Sequence, residues 1–111
     1  MKVISIKKFY LYYKSYTGIV LNNNDYISFY KNGFFHRKNG PAFYDLERGI
    51  KEWYKHNLIH REDGPAAEYS NGHKVWWFKH KWYGEKDAFT IETWKEKVKE
   101  LKHEERLEIF K

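Results

Sequence analysis

Through most of the chain, short runs rich in Tyr, Trp, Phe, Val and Ile alternate with polar residues and are cut apart by turn signals. Asn32-Gly33, Arg48-Gly49 and Ser70-Asn71-Gly72 carry residues that accept the positive φ of hairpin turns. The pattern predicts short antiparallel strands, two per structural unit. Gly40-Pro41 and Gly64-Pro65 interrupt the chain between them, because proline has no N–H to give to a strand ladder. From Thr90 the period changes: Ile91, Trp94, Val98 and Leu101 recur at helical spacing among Glu and Lys, with Asp87 or Thr90 available as N-cap. One amphipathic helix over residues 90–110 is expected, its apolar stripe covering an open edge or face of the sheet or else serving a partner or a second copy.

The strand pattern is also a repeat. His60-Arg61-Glu62-Asp63-Gly64-Pro65-Ala66 restates His36-Arg37-Lys38-Asn39-Gly40-Pro41-Ala42 twenty-four positions on. At the same step Phe29, Trp53 and Trp77 form one column, Tyr30, Tyr54 and Phe78 a second, and Lys31, Lys55 and Lys79 a third. A repeat this short cannot bury its own apolar face, so successive units must stack and share a core. The register divides a single domain, residues 1–111, into a degenerate first repeat (1–29, reaching back to Tyr10-Leu11), full repeats at 30–53 and 54–77, a truncated repeat at 78–89 and the helix at 90–110. The expected fold is mainly β, an antiparallel meander of two-stranded repeats capped by a C-terminal helix.

Composition sharpens this picture. Eight Phe, ten Tyr and five Trp in 111 residues give a thin sheet large apolar area with few rotatable bonds. Cysteine is absent, which is compatible with a reducing compartment, and the N-terminal segment lacks the apolar run of a signal peptide, so a cytoplasmic protein without membrane attachment is expected.

The unit from Tyr54 to Trp77, with Asn57, His60-Arg61 and Asp63-Gly64-Pro65-Ala66, resembles the tandem "W-Y-x-N-G-x-x-H-R-x-D-G-P-A" repeats of uncharacterised bacteriophage and giant-virus proteins, which are distantly similar to MORN repeats. The resemblance covers roughly residues 26 to 83. It implies an elongated meander that serves as an interaction surface, such as a viral factor in the host-cell cytoplasm that binds a host protein, a defence component for instance. It does not name a partner.

Repeat geometry bears on the candidate chemistry. With two strands per unit, equivalent side chains in successive repeats are expected about 10 Å apart. His36 and His60 are then too distant to share a metal ion, and His56, His73 and His80 lack zinc-motif spacing, so no metal or cofactor is expected. His-Arg and Asn/Asp-Gly-Pro read as turn braces, with Asn39 or Asp63 capping backbone amides and Arg37 or Arg61 reaching a carbonyl or carboxylate. Phe29, Trp53, Trp77, Gly40, Pro41, Gly64 and Pro65 are assigned to structure. Lys31, Lys55, Lys79, Arg37, Arg61, Tyr54 and Trp76 are the candidate binding residues, for a protein or a polyanion, in a chain of net charge +6. Trp76 stands out because its equivalents at the same step are Glu52 and Ser28; it is expected to pack under Trp94 or to act as a hot spot. No nucleophile–base pair, phosphate loop or paired carboxylates rise above chance, so the expected function is a non-enzymatic protein-binding module, as monomer or homodimer. The alternative is nucleic-acid or nucleotide binding through the cationic and aromatic columns.

Overall fold

The computed structural model of the protein describes residues 2–12, 14–23 and 25–110. Strand β1 (Val3–Ser5) leads into a short helix α1 (Ile6–Tyr12), and β2 (Gly18–Asn22) returns beside β1. Counted by strands around the His-Arg loops rather than by the sequence divisions, the first full repeat supplies β3 (Tyr26–Lys31), β4 (Phe34–Phe35) and β5 (Phe43–Asp45); the second supplies β6 (Ile50–Glu52), β7 (Tyr54–Lys55), β8 (Leu58–Ile59) and β9 (Ala67–Glu68). The third supplies β10 (Lys74–Phe78) and β11 (Lys81–Glu85), and a 3-10 turn (Lys86–Ala88) hands the chain to helix α2 (Ile91–Ile109).

The fold is mainly β: a nine-stranded sheet in the order β1-β2-β3-β5-β6-β9-β10-β11 with β4 appended to β3, a separate two-stranded sheet β7-β8, and the C-terminal helix. Every pairing is antiparallel except β1 with β2, which is parallel and is made possible by the crossover through α1. The register that reaches back to Tyr10-Leu11 lands in α1, whose last side chains lie outside the described residues. The result is a slab of 43 × 38 × 19 Å with a radius of gyration of 15.5 Å, against about 13 Å for a compact chain of this length.

Each repeat is threaded into its neighbour by the same backbone bonds. Ala42 accepts from Phe29 N–H and donates to the Glu52 carbonyl; Ala66 accepts from Trp53 N–H and donates to the Val75 carbonyl. Both alanines are fully buried, because the backbone passes between adjacent strands and leaves room for no more than a methyl group. The core accordingly falls into three clusters along the slab rather than one centre: Ile4, Phe9, Tyr16 and Val20; Ile59, Ala66 and Ala67; and Trp76, Phe78, Trp94, Val98 and Leu101.

The third repeat is out of the 24-residue register. Tyr44 pairs with Lys51 across the β5–β6 turn, whereas Glu68 pairs with Lys74 across the β9–β10 turn, one residue shorter. From there the structural step is 23: Arg37 N–H reaches the Tyr54 carbonyl, and Arg61 N–H reaches that of Trp77. The column of Phe29 and Trp53 therefore continues with Trp76, not Trp77, and the column of Lys31 and Lys55 continues with Phe78, not Lys79. Trp77 follows Tyr54 instead and packs, half-buried, against the Ile59 cluster.

Helix α2 closes the last repeat. Thr90 is its N-cap: the Thr90 hydroxyl accepts from Thr93 N–H, and the Thr93 hydroxyl accepts from Thr90 N–H, a reciprocal box that satisfies two otherwise orphaned donors. Trp94, Val98 and Leu101 bury one stripe over Trp76 and Phe78, which sit on one face of β10 at strand spacing.

Candidate functional site

The two His-Arg loops, His36–Ala42 and His60–Ala66, lie side by side along one edge of the slab and enclose an open groove of about 610 Å³. Residues of the first loop (His36, Arg37, Lys38), of the strand between (Trp53, Tyr54) and of the second loop (Arg61, Glu62) line it. A second groove of about 340 Å³ continues past Arg37 to Lys31 and Lys2. Arg37 lines both.

Each arginine is held as a lid on the preceding strand. The Arg37 guanidinium carbon lies 4.0 Å from the centre of the Phe29 ring, and that of Arg61 lies 3.9 Å from the Trp53 ring. Arg37 Nη1 donates to the Pro41 carbonyl at 3.2 Å, and Arg61 Nη1 to the Pro65 carbonyl at 3.1 Å. Glycine precedes each proline because the guanidinium occupies the place of a side chain: a Cβ on Gly40 would stand 3.0 Å from Arg37 Cζ, and one on Gly64 would stand 2.7 Å from Arg61 Cζ. In the third repeat, where the shortened step brings Tyr83-Gly84 to the His-Arg positions in place of the Gly84-Glu85 of the 24-residue register, Trp94 and Phe89 cover Trp76 instead.

The histidines serve the turns. His36 Nδ1 accepts from His56 N–H at 3.1 Å, and His60 Nδ1 accepts from Lys79 N–H at 2.9 Å. Thr17 Oγ1 does the same for Asn32 N–H at 3.0 Å, which identifies Thr17 as the first unit's substitute for histidine. The donors are the first residues of left-handed two-residue turns: Asn32-Gly33, His56-Asn57 and Lys79-His80 all have positive φ. Only the first of these carries a glycine, which is why the other two turns were not legible as such. The His36 and His56 rings also approach to 4.4 Å between centres, a contact invisible at any repeat spacing.

Because Nδ1 accepts in both cases, the neutral His60 ring carries its proton on Nε2 and donates to Glu62 Oε2 at 3.0 Å. Burial pushes the pKa of His60 down, outweighing the opposing pull of Glu62. Burial likewise lowers that of His36, reinforced by the charges of His56, Lys31 and Lys55. Lys55 acts on both rings, while Lys31 acts on His36 and Lys79 on His60. Glu62 keeps its carboxylate below the usual range despite burial, held there by Lys102 and His60. Burial pushes the Tyr54 hydroxyl well above the ordinary phenol range, and that hydroxyl reaches Glu52 at 3.3 Å. The Glu52 carboxyl is itself raised by burial.

The candidate binding residues thus divide. Lys31, Lys55 and Lys79 are exposed, and Lys79 pairs with Glu105 of α2 at 2.7 Å. Arg37 and Arg61 are half-buried and brace their own loops. Trp76 is 2% exposed, with its indole N–H donating to the Lys86 carbonyl at 3.0 Å, so it is core and not a contact hot spot. Asp63 does not cap backbone amides as expected; it accepts from Arg61 Nε at 2.9 Å. Sequence reasoning missed Phe34 and Leu58, exposed at 52% and 41%. They pair directly with Lys31 and Lys55 across the hairpin tips.

Among the described residues no group of three His, Cys, Asp or Glu is placed to hold a metal ion, and no helix is long and apolar enough to cross a membrane. Comparison with protein-family models, curated proteins and solved structures finds no match for the chain.

Proposed function

We propose that the protein is a small non-enzymatic binding module whose repeat edge docks an acidic segment of a partner protein. The observation that carries this reading is the pair of hairpin tips. Lys31 sits opposite Phe34 and Lys55 opposite Leu58, so successive repeats each present one cation beside one exposed apolar side chain. A surface that mixes apolar area with charge suits a protein segment in which acidic and apolar residues alternate.

Nucleic acid is supported less well. Base stacking along a strand needs a row of open aromatic faces, but in the aromatic column Phe29 and Trp53 are covered by Arg37 and Arg61 and Trp76 lies under α2, which leaves Phe34, Trp82 and Phe110 as the large exposed aromatics among the described residues. The test is fluorescence anisotropy with an oligoglutamate peptide interspersed with leucine and with oligothymidine, over a salt series. The proposal expects the peptide to bind more tightly and Lys31→Glu with Lys55→Glu to abolish binding. Tighter oligothymidine binding with a steep linear dependence on log salt would replace it with the polyanion reading.

A further inference from the structure

We infer that Arg37 is the anchor of that edge and takes a carboxylate of the acidic partner in the position that Asp63 occupies on Arg61. The inference rests on the docking reading above and names the atom that recognises the ligand. The protein contains its own template for the bound state. Arg61 is paired with two carboxylates, one of its own loop and one of β9: Nε donates to Asp63 at 2.9 Å and Nη1 to Glu68 at 3.3 Å. Glu62, the remaining acid of that loop, is held by Lys102 of α2 and by His60.

The first loop adopts the same pose with every acid removed. Lys38 stands in place of Glu62, Asn39 in place of Asp63 and Tyr44 in place of Glu68. Arg37 Nη1 donates to the Tyr44 hydroxyl at 3.1 Å, a neutral acceptor where Arg61 meets a carboxylate. Among the described residues Arg37 forms no ion pair, and its Nε has no acceptor where Arg61 Nε has Asp63. His36–Tyr44 carries two cations and no acid, whereas His60–Glu68 carries one cation and three acids. Lys31 and Lys55 add two more cations around His36.

A half-buried guanidinium fixed by stacking on Phe29 loses little freedom when it binds, and a carboxylate is the acceptor that its planar fork matches best. Arg37 borders both grooves, so a carboxylate can approach from the side of Lys55 or from that of Lys31. The helix that ties down the second loop, through Trp94 Nε1 to the Arg61 carbonyl at 2.9 Å and Lys102 to Glu62, leaves the first loop open.

The experiment supplies the missing acid from within. Asn39→Asp is expected to place a carboxylate on Arg37 and lower affinity for an oligoglutamate peptide by about tenfold or more, while Asn39→Ala leaves it near wild type. In the wild-type protein, nitrogen-15 spectra of the arginine side chains should show the Arg37 Nε–H signal moving on titration with oligoglutamate and the Arg61 signal staying in place. That readout requires no variant to fold. If Asn39→Asp binds as wild type and the Arg37 signal stays fixed, while Lys31→Glu with Lys55→Glu abolishes binding, the basic edge stands and Arg37 is not its anchor. If wild type ignores oligoglutamate altogether, both readings fall.

Discussion

Trp94 of α2 donates its indole N–H to the carbonyl of Arg61 at 2.9 Å, thirty-three residues away in the chain, so the terminal helix is latched to the backbone of the second His-Arg loop. The same indole is fully buried and lies 5.5 Å from Trp76 and 4.9 Å from Phe89 between ring centres. One side chain therefore joins the helix, the last repeat and the loop before it.

Replacing it should be costly. Trp94→Ala is expected to destabilise the protein by about 3–5 kcal/mol through a large unfilled cavity, and Trp94→Phe by less, mainly the lost hydrogen bond at about 1–2 kcal/mol. Urea unfolding of the two variants checks this; a Trp94→Phe protein as stable as wild type would mean that the latch contributes nothing beyond packing.

Gly64 and Arg61 are predicted to be coupled. Gly64→Ala puts a methyl group against the guanidinium and is expected to cost about 1–3 kcal/mol. In an Arg61→Ala background the same substitution should cost much less. A double-mutant cycle measures the difference, and additive losses would place the strain elsewhere.

Asn57 holds φ 67° in the second left-handed turn, where the first repeat has Gly33 at φ 81°. Asn57→Gly should raise stability by about 0.5 kcal/mol, since glycine meets no steric penalty there. His56 is a poorer target because its ring lies against His36. A thermal melt suffices to detect the gain.

Acid should destabilise the fold through its histidines. His36 and His60 both have pKa values below the ordinary 6.5, so the unfolded chain takes up protons that the folded chain refuses. Their contribution is intact above about pH 6.5 and is lost as pH falls toward the depressed folded values. Protonation at Nδ1 would also remove the acceptors for His56 N–H and Lys79 N–H. Lys31, Lys55 and Lys79 oppose the added charge, and Glu62 favours it only at His60. Melting temperatures measured from about pH 7.5 to about pH 5.5 should fall, with a shallower fall in His60→Asn.

The repeat, the mainly β fold and the C-terminal helix were legible in the chain because each rests on local chemistry: turn residues, strand alternation and helical spacing act over a few neighbours. The cap follows from the same local rules, which offered Asp87 or Thr90 and which the fold resolved to Thr90. What the tertiary structure alone decided was register and pairing. A turn shortened by one residue moves Trp76 from an apparent outlier into the core column and puts Phe78 where lysines stood, and fixed sequence spacing cannot register a deletion between two strands. The contrast between Arg37 and Arg61 was present in the letters as Asn39 against Asp63 and Tyr44 against Glu68. It acquired meaning only when the loops closed, because whether a carboxylate neutralises a guanidinium depends on where the fold brings them together.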